Sequence, residues 1–300
     1  MPRQSDAPPQ QQGPHTEPSR VIASPALDDD AFIPWTDEDF AQAVPEPPPT
    51  PTQPPSVPGS RQAVDTWPQT FVPPHIGGTP YNAMCKLFYR RSGLPYVASA
   101  WIVLGNTGRK GILTAGHVVY LNGVWSKDYV VCREYTGGLW IEQFRGNFAR
   151  TLNGWIHGQG VREFWDLGAV IPFTPVPHTT PALPVTFGYN PQIAPFNFFY
   201  DVGYPAKPAN GYPFDGQFQW ESDGPLITVH HHNDQFVLQA YNAMEHGSSG
   251  SPWMIYDAIH NIHYAAGIQS SGWDGIPSSY SPYFDQRNIV PLLRDIDVLE

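Results

Sequence analysis

Short runs of alternating apolar and polar residues fill the chain from about Gln62 onward, separated by Gly, Pro and Asn turns. The runs are rich in Val, Ile, Tyr, Phe and Trp, which is typical of β-strands. Ten strands are predicted, at residues 84–90, 96–103, 111–116, 128–135, 166–173, 198–205, 216–222, 235–241, 251–257 and 263–269.

No helical period longer than two turns interrupts these runs before residues 284–296, FDQRNIVPLLRDI. Alternating β-α-β winding needs a helix between strands, so the pattern favours an antiparallel all-β fold with a short C-terminal helix. The Pro- and Thr-rich stretch 172–184 lies near the middle of the strand-rich region. It is interpreted as a linker between two halves.

The first 60 residues have a different composition, with 15 of the 35 prolines, 3 of the 41 aromatic residues and a net charge of -7 out of -11. Such a segment buries too little apolar surface to offset its conformational entropy, so residues 1–66 are predicted to be a disordered, acidic, Pro-rich tail. One apolar island, Phe32 to Phe40, is either ordinary linker or a docking segment that orders on binding. The partner of the tail is unknown.

Charge and hydropathy exclude several classes of protein. With 16 Lys and Arg against 27 Asp and Glu, and no basic run, a nucleic-acid partner is not expected. The most apolar stretch, Tyr96 to Leu104, is half the length of a membrane span. The N-terminus lacks the pattern of a secretory signal, which leaves a cytoplasmic enzyme, a non-classically exported one or a truncated precursor as alternatives.

Three short motifs carry the candidate chemistry. His117 follows an apolar strand in Thr-Ala-Gly-His, Asp166 precedes one in Asp-Leu-Gly-Ala-Val, and Ser249 lies in the turn Gly-Ser-Ser-Gly-Ser-Pro. A serine hydroxyl needs a base with a pKa near 7, which imidazole provides, and the imidazole needs a carboxylate on its other nitrogen. The backbone N–H groups of Gly247 and Ser249 are the predicted donors to the developing oxyanion.

These motifs, in this order and spaced by 49 and 83 residues, resemble the His, Asp and Ser motifs of chymotrypsin-fold serine peptidases. The ending Gly-Ser-Pro is similar to the glutamyl-endopeptidase-like bacterial branch. The resemblance implies two six-stranded antiparallel Greek-key barrels in a peptidase domain at 67–300. The first barrel would span about 78–172 and the second about 184–298. It also implies a serine endopeptidase that acts on proteins or peptides and needs no cofactor or metal.

The chain departs from that family pattern at two places. Val118 follows His117 where many relatives have a disulfide-bonded Cys, and Ser248 replaces the Asp that pairs with a freed N-terminal amine in trypsin-like enzymes. Neither that disulfide nor that activation by an ion pair is therefore expected.

The resemblance places Ala243, Met244, Gln269 and Ser270 in the pocket for the substrate residue before the cleaved bond, P1. Ala243 stands where cleavage after Lys or Arg requires an acid, so a basic P1 is disfavoured. Gln269 and Met244 replace the His and Thr of glutamyl endopeptidases. A polar or mid-sized apolar P1 therefore remains as open as glutamate.

Rival interpretations remain beside the peptidase. An α/β-hydrolase esterase would need Gly-x-Ser-x-Gly, but Ser251 occupies the last position and the strand-helix alternation is missing. A peptide-binding module that has lost turnover is a third alternative. His230, His231 and His232 could hold a metal only through the first and third, because adjacent strand residues point to opposite faces.

The two cysteines, Cys85 and Cys132, are too few for a disulfide framework. In a barrel of the resembled family, the first strand closes against the strand after the catalytic His segment, which would place these cysteines on adjacent strands. Whether they face each other depends on the register, because a slip of one residue would separate them.

Overall fold

The computed structural model describes residues 17–26, 29–52, 69–72, 78–158, 160–188 and 198–300. Within these ranges it has the following strands: β1 (Val21–Ala23), β2 (Val44–Pro45), β3 (Gln69–Phe71), β4 (Met84–Arg91), β5 (Leu94–Leu104), β6 (Lys110–Thr114), β7 (Tyr120–Leu121), β8 (Val124–Trp125), β9 (Lys127–Arg133), β10 (Glu142–Leu152), β11 (Gly168–Pro172), β12 (Leu183–Pro184), β13 (Phe198–Gly203), β14 (Trp220–His232), β15 (Gln235–Tyr241), β16 (Pro252–Asp257), β17 (Ile262–Ile268), β18 (Ser271–Gly272) and β19 (Ser278–Pro282). The α-helices are α1 (Asp37–Gln42), α2 (Gly116–Val119), α3 (Asn153–His157) and α4 (Ile289–Asp295).

Six strands form a closed antiparallel barrel in the first half of the chain. Their order is β10-β11-β6-β5-β4-β9, and β9 pairs again with β10 to close the ring. The prediction that the first strand, β4, closes against β9 is confirmed. The first of the two predicted six-stranded barrels is therefore present.

The second half is an open, curled sheet in which seven strands follow the order β17-β16-β13-β14-β15-β19-β18, and the short strand β3 also pairs with β14. The prediction of a second closed six-stranded barrel is wrong. β14 takes part in two pairings: residues 220–225 pair with β13, and residues from Leu226 onward pair with β15, with a bulge between Leu226 and Thr228. The edge strands β17 and β18 do not pair with each other in the described structure, so the ring stays open.

The same strands contribute side chains to two different apolar cores. Alternate residues of β4, such as Leu87, lie inside the closed barrel with Ile102 and Val131. The other set, such as Phe88, belongs to a larger core with Trp101 that includes residues of both halves, among them Val202 and Met254. The two halves are therefore held together by continuous apolar packing, which positions the cleft between them.

The tail is ordered over residues 17–26 and 29–52, contrary to the prediction of disorder for 1–66. β1 pairs with β10, and β2 pairs with β5. The apolar island at 32–40 is a docking segment: Trp35 and Phe40 pack edge-on against Phe88, and the Trp35 indole donates to the Asp128 carbonyl at 2.7 Å. Ordering this segment costs conformational entropy. Burial of the aromatic rings against the folded domain offsets that cost, and the composition of the tail alone does not reveal this contribution. Residues 1–16 and the predicted boundary at 66/67 lie outside the described residues.

The helices are few and short. The predicted helix at 284–296 is confined to α4, because the Asn288 side chain accepts hydrogen bonds from the backbone of Asp285 and Ile289 and caps the helix there. Pattern reading missed β10, where Gly146 and a bulge before Phe148 interrupt the alternation. In the described ranges, no helix is both long and apolar enough to cross a bilayer.

The strand pairing contradicts the esterase alternative. Apart from two-residue parallel contacts of β2 and β12 with β5, and a single bridge from Val185 to Ala265, the described strands pair antiparallel. The longest described α-helix has seven residues. An α/β-hydrolase needs a parallel sheet with helices on its faces, and this architecture is absent from the described part of the chain.

The two cysteines lie on neighbouring strands but do not face each other. Cys85 is opposite Arg133, and Cys132 is opposite Lys86, so the register separates the thiols by one residue. Cys85 consequently points into the closed barrel, whereas Cys132 belongs to the core on the outer face. Both are free and buried.

We expect neither thiol to react in the native protein. Burial raises the pKa of the Cys85 thiol well above its usual value and that of Cys132 to about 12, so almost no thiolate is present at neutral pH. Titration with a thiol reagent is predicted to detect no fast-reacting group in the native chain and two groups in guanidinium chloride. If no reactive thiol is detected after the protein is unfolded without reductant, the two cysteines form a disulfide, which contradicts the register described above.

Candidate active site

His117 lies on a one-turn helix that begins directly after a barrel strand. β6 ends at Thr114, Ala115 is extended, and α2 follows. A side chain at Gly116 would crowd this junction, because a Cβ there would lie 3.0 Å from the Asp166 Oδ1 atom and from the Leu167 nitrogen. The close approach of the two segments brings the imidazole to the carboxylate.

The Asp166 carboxylate is completely buried and accepts three hydrogen bonds. Oδ1 accepts the backbone N–H of His117 at 2.7 Å, and Oδ2 lies 2.8 Å from His117 Nδ1. The Ser270 hydroxyl donates to Oδ2 at 2.5 Å. A buried carboxylate needs such donors to compensate its lost hydration, and a neutral imidazole that donates from Nδ1 has Nε2 as its acceptor nitrogen.

The Ser249 turn packs against the His117 segment. Gly247 and Gly250 both have positive φ, +96° and +91°, and a Cβ on Gly250 would come within 2.3 Å of Thr114 Oγ1 and 3.0 Å of the Ala115 nitrogen. The Ser249 carbonyl accepts the Ser99 N–H at 2.9 Å. Glycine therefore allows the serine turn to lie directly beside β5 and the start of α2.

The backbone N–H groups in this turn divide into two sets. Those of Ser248, Gly250 and Ser251 donate to carbonyls. Those of Gly247 and Ser249 donate to no acceptor among the described residues. These are the two donors that the sequence predicts for an oxyanion hole.

The imidazole has one nitrogen without a partner. His117 is 1% exposed, and its buried Nε2 atom has no hydrogen-bond partner among the described residues. No hydrogen bond to the Ser249 hydroxyl is formed, as is common at unliganded nucleophile-base pairs, which tighten on substrate binding. Chemically, the arrangement offers a hydroxyl, an available base nitrogen and an anchored carboxylate.

Of the four residues predicted to form the substrate pocket, two line a small cavity beside the serine turn. Met244 and Gln269 form part of its wall, whereas Ser270 instead contacts Asp166 and Ala243 is buried outside the lining. The cavity measures about 10 Å³, roughly the space for one water. The full lining is Pro48, Met244, Glu245, Gln269, Gly272, Trp273, Asp274, Ser278 and Ser279.

The Gln269 side-chain amide has a defined orientation. Its Oε1 atom accepts N–H groups from Trp253 Nε1 at 2.9 Å and from Asn242 Nδ2 at 3.2 Å. Asn242 Nδ2 also donates to the buried Asp201 carboxylate at 2.6 Å. With Oε1 occupied by two donors, Gln269 can offer the cavity only its Nε2 amino group, which is a hydrogen-bond donor.

Acidic residues surround the cavity. Burial raises the pKa of Glu245. Asp274 is held ionised, because its hydrogen bond with His246 lowers its pKa. Glu245, His246 and Asp274 are the only described cluster with metal-ligand spacing, but Lys207 Nζ already lies 3.3 Å from His246 Nε2 and 3.5 Å from Asp274. The ammonium group supplies the positive charge that a cation would bring.

The consecutive histidines do not form a metal cluster in the described structure. His230 Nε2 contacts the Gln239 side chain at 3.1 Å. His231 stacks on Phe236, and His232 is exposed at the end of β14. The side chains thus diverge, as the alternation of a strand requires.

The chain resembles known proteins in its fold but not in its sequence. No known protein family matches the chain, and no curated protein matches its sequence. Solved structures do match, and they are chymotrypsin-fold serine proteases, including a Glu endopeptidase. The chain is therefore similar in fold to that class.

Three solved structures illustrate the likeness. The protease Anisep from Arthrobacter nicotinovorans is 22% identical, with 73% of this chain and 97% of that chain covered at a TM-score of 0.60. The thermostable serine protease AL20 from an extremophilic microorganism is 19% identical, with 69% and 93% covered and a TM-score of 0.53. A Glu endopeptidase is 17% identical, with 76% and 96% covered and a TM-score of 0.56.

Sequence reasoning missed three residues that support the site. The family resemblance places Ser270 in the P1 pocket, whereas its hydroxyl donates to the Asp166 carboxylate. Arg91 donates to the His117 carbonyl at 2.6 Å, and Glu163 lies in the 3₁₀ turn directly before Asp166. Arg91 gave no signal in the sequence, since its partners are 26 or more residues away.

The buried Asp201 carboxyl predicts a pH dependence of stability. Burial raises its pKa to about 7, so the folded chain keeps the proton that the unfolded chain loses near pH 4. Its contribution to stability is therefore unchanged below about pH 4 and falls as the pH rises to about 7. We expect Asp201→Asn, which keeps an acceptor for Asn242, to abolish this loss. Thermal unfolding at pH 5 and pH 8 would contradict this if both proteins lost stability equally.

Proposed function

We propose that the protein is a serine endopeptidase with Ser249 as nucleophile, His117 as general base and then acid, and Asp166 as the group that orients the imidazole. The observation that carries the proposal is the His117 ring, with Nδ1 at Asp166 and a buried Nε2 that has no partner in the described chain. A histidine with only a structural role would use both nitrogens or leave one in solvent.

These positions support an acyl-enzyme mechanism. Nε2 takes the Ser249 hydroxyl proton as the oxygen attacks the peptide carbonyl, and the oxyanion accepts the N–H groups of Gly247 and Ser249. The imidazolium, stabilised by Asp166, then protonates the leaving amine as the C–N bond breaks. Water, deprotonated by His117, hydrolyses the acyl-enzyme and restores the hydroxyl.

Replacement of the nucleophile tests the proposal. We expect Ser249→Ala to lower peptide turnover by about 10⁴-fold or more and to abolish covalent labelling by a fluorophosphonate. Ser19→Ala removes a hydroxyl in the tail and is the matched control, with labelling unchanged. Unchanged turnover in Ser249→Ala would reject the assignment, and a wild-type chain that binds peptides but is never labelled would favour the catalytically silent module.

For P1, we propose a preference for an uncharged side chain that carries a hydrogen-bond acceptor, such as Gln, with Glu no better than Gln or Leu. Gln269 can give an N–H donor, but the cavity lining contains two acids, and Lys207, 3.5 Å from Asp274, is already paired with one of them. A buried anionic P1 would lack compensation there. The glutamate preference in the name of the similar Glu endopeptidase is therefore not extended to this chain.

A peptide-library profile of the wild-type protein and of Gln269→Glu tests the pocket. The variant keeps an oxygen acceptor for Trp253 and Asn242 but replaces the donor by a second acceptor. We expect the preference for acceptor-bearing P1 residues to be lost in the variant. A wild-type preference for Glu over Gln of about a hundredfold, roughly 2.7 kcal/mol, would contradict the proposal and require a cation at the pocket.

A further inference from the structure

The tail crosses the same face of the molecule that holds the candidate catalytic residues. β2 pairs with Tyr96 and Val97 of β5, two residues before Ser99. Ser99 donates to the serine turn through its N–H, which binds the Ser249 carbonyl, and through its hydroxyl, which binds the Gly247 carbonyl at 2.9 Å. Residues 44–52, named here the crossing segment, therefore begin beside the serine turn.

Glu46 binds in a site built by buried side chains. Its carboxylate forms an ion pair with Arg91 and accepts the Tyr89 hydroxyl at 2.9 Å. Arg91 is 6% exposed and Tyr89 is 1% exposed. Arg91 also donates to the carbonyls of His117 and Val118 at 2.6 and 2.7 Å. The carboxylate-binding site therefore lies directly against the catalytic histidine segment.

Pro48 forms part of the wall of the candidate P1 cavity, together with Met244 and Gln269. The remaining space, about 10 Å³, admits roughly one water and no side chain. Ser249 is only 5% exposed and His117 only 1%. With Pro48 in this wall, the cavity has no room for a P1 side chain.

The far end of the crossing segment is also fastened by a carboxylate. Both the backbone N–H and the hydroxyl of Thr52 donate to Glu163, the hydroxyl at 2.8 Å. Glu163 is buried, and its carbonyl accepts the Asp166 N–H at 3.2 Å. The segment is thus anchored on both sides of the cavity, at residues that contact His117 and Asp166.

The sequence between the anchors suits a stiff, extended strap. Residues 46–52 read Glu-Pro-Pro-Pro-Thr-Pro-Thr. Proline-rich chain adopts an extended polyproline conformation before binding, so little further entropy is lost when it lies across a groove. Because prolines lack N–H groups, the anchors at Glu46 and Thr52 must supply most of the polar recognition.

We propose that Arg91 and Tyr89 form a carboxylate-binding subsite of the peptide cleft, and that Glu46 fills it so that the crossing segment is a built-in competitive ligand. The ligand class of the cleft is an acidic, proline-rich peptide, and the occupant in this structure is the protein's own tail. The inference rests on the proposed peptidase function. Displacement of residues 44–52 is then the step that opens Ser249 to substrate.

Full-length variants test the subsite. Glu46→Gln removes the charge that Arg91 binds, and Pro48→Asp places a carboxylate beside Glu245 and Asp274 without touching the core. Glu38→Gln is the matched control, because Glu38 is exposed in the same tail and, within the described ranges, its carboxylate accepts only from Gln42. Thermal unfolding verifies that each variant is folded.

We expect Glu46→Gln and Pro48→Asp to increase the rate of fluorophosphonate labelling at Ser249, and kcat/KM for a peptide substrate, by about tenfold or more over the wild type. Glu38→Gln is expected to match the wild type. Added peptide AVPEPPPTPT, residues 43–52, is expected to inhibit the Glu46→Gln protein competitively, whereas the same peptide with Gln in place of Glu is expected to inhibit it much less.

The outcomes separate the two proposals. Equal, measurable labelling of the wild type and of both released variants would overturn the inference and leave the peptidase function intact. Faster labelling in the variants with no inhibition by the added peptide would also overturn it, because the tail would then act other than as a ligand of the cleft. No labelling of Ser249 in any variant would overturn both proposals.

Discussion

One buried carboxylate links the two halves of this molecule at the candidate site. Asp166 is fully enclosed, and a charge in that position is stable only if its oxygens are fully hydrogen-bonded. Its donors come from different parts of the chain: His117 from the closed barrel and Ser270 from the curled sheet. The same contacts that satisfy the charge therefore set the position of the imidazole and the edge of the pocket strand.

Ser99 provides a second connection across the same boundary. Its hydroxyl accepts the Tyr204 N–H at 2.8 Å and donates to the Gly247 carbonyl, while its N–H binds the Ser249 carbonyl. Thr114 in turn donates to the Ser99 carbonyl at 2.8 Å. Strand β5 thus links the serine turn to the histidine strand. The candidate oxyanion donors lie on the adjoining peptide groups, whose carbonyls, those of His246 and Ser248, accept the N–H groups of Ala206 and Ser251.

Local patterns were sufficient for part of this architecture. The ordered motifs around His117, Asp166 and Ser249 are short and chemically complementary, so they identified the candidate site, and alternation identified most barrel strands. Features that depend on the pairing of strands far apart in the chain could not be predicted from the sequence. The register that separates Cys85 from Cys132 is one residue from the alternative, and closure of the second barrel depends on whether its two edge strands meet.

The tail shows the same limit most clearly. Its composition predicts disorder, because composition reflects only the apolar surface that a segment could bury among its own residues. Trp35 and Phe40 bury against Phe88, and Glu46 pairs with Arg91, which is 45 residues away in sequence. Those partners belong to the folded domain, so the ordering of the tail follows from the surface it meets and not from its own sequence pattern.

The central claim is that Asp166 holds His117 with a proton on Nδ1 and the base nitrogen Nε2 available. Proton magnetic resonance of the imidazole N–H groups tests it most directly, because a short hydrogen bond to a buried carboxylate deshields the bound proton and slows its exchange with water. The account predicts one strongly downfield, slowly exchanging proton assigned to His117 Nδ1 in the wild type and in Ser249→Ala, and its upfield shift or loss in Asp166→Asn. A folded wild-type protein without that proton, or an Asp166→Asn protein that retains it unchanged, would contradict the account.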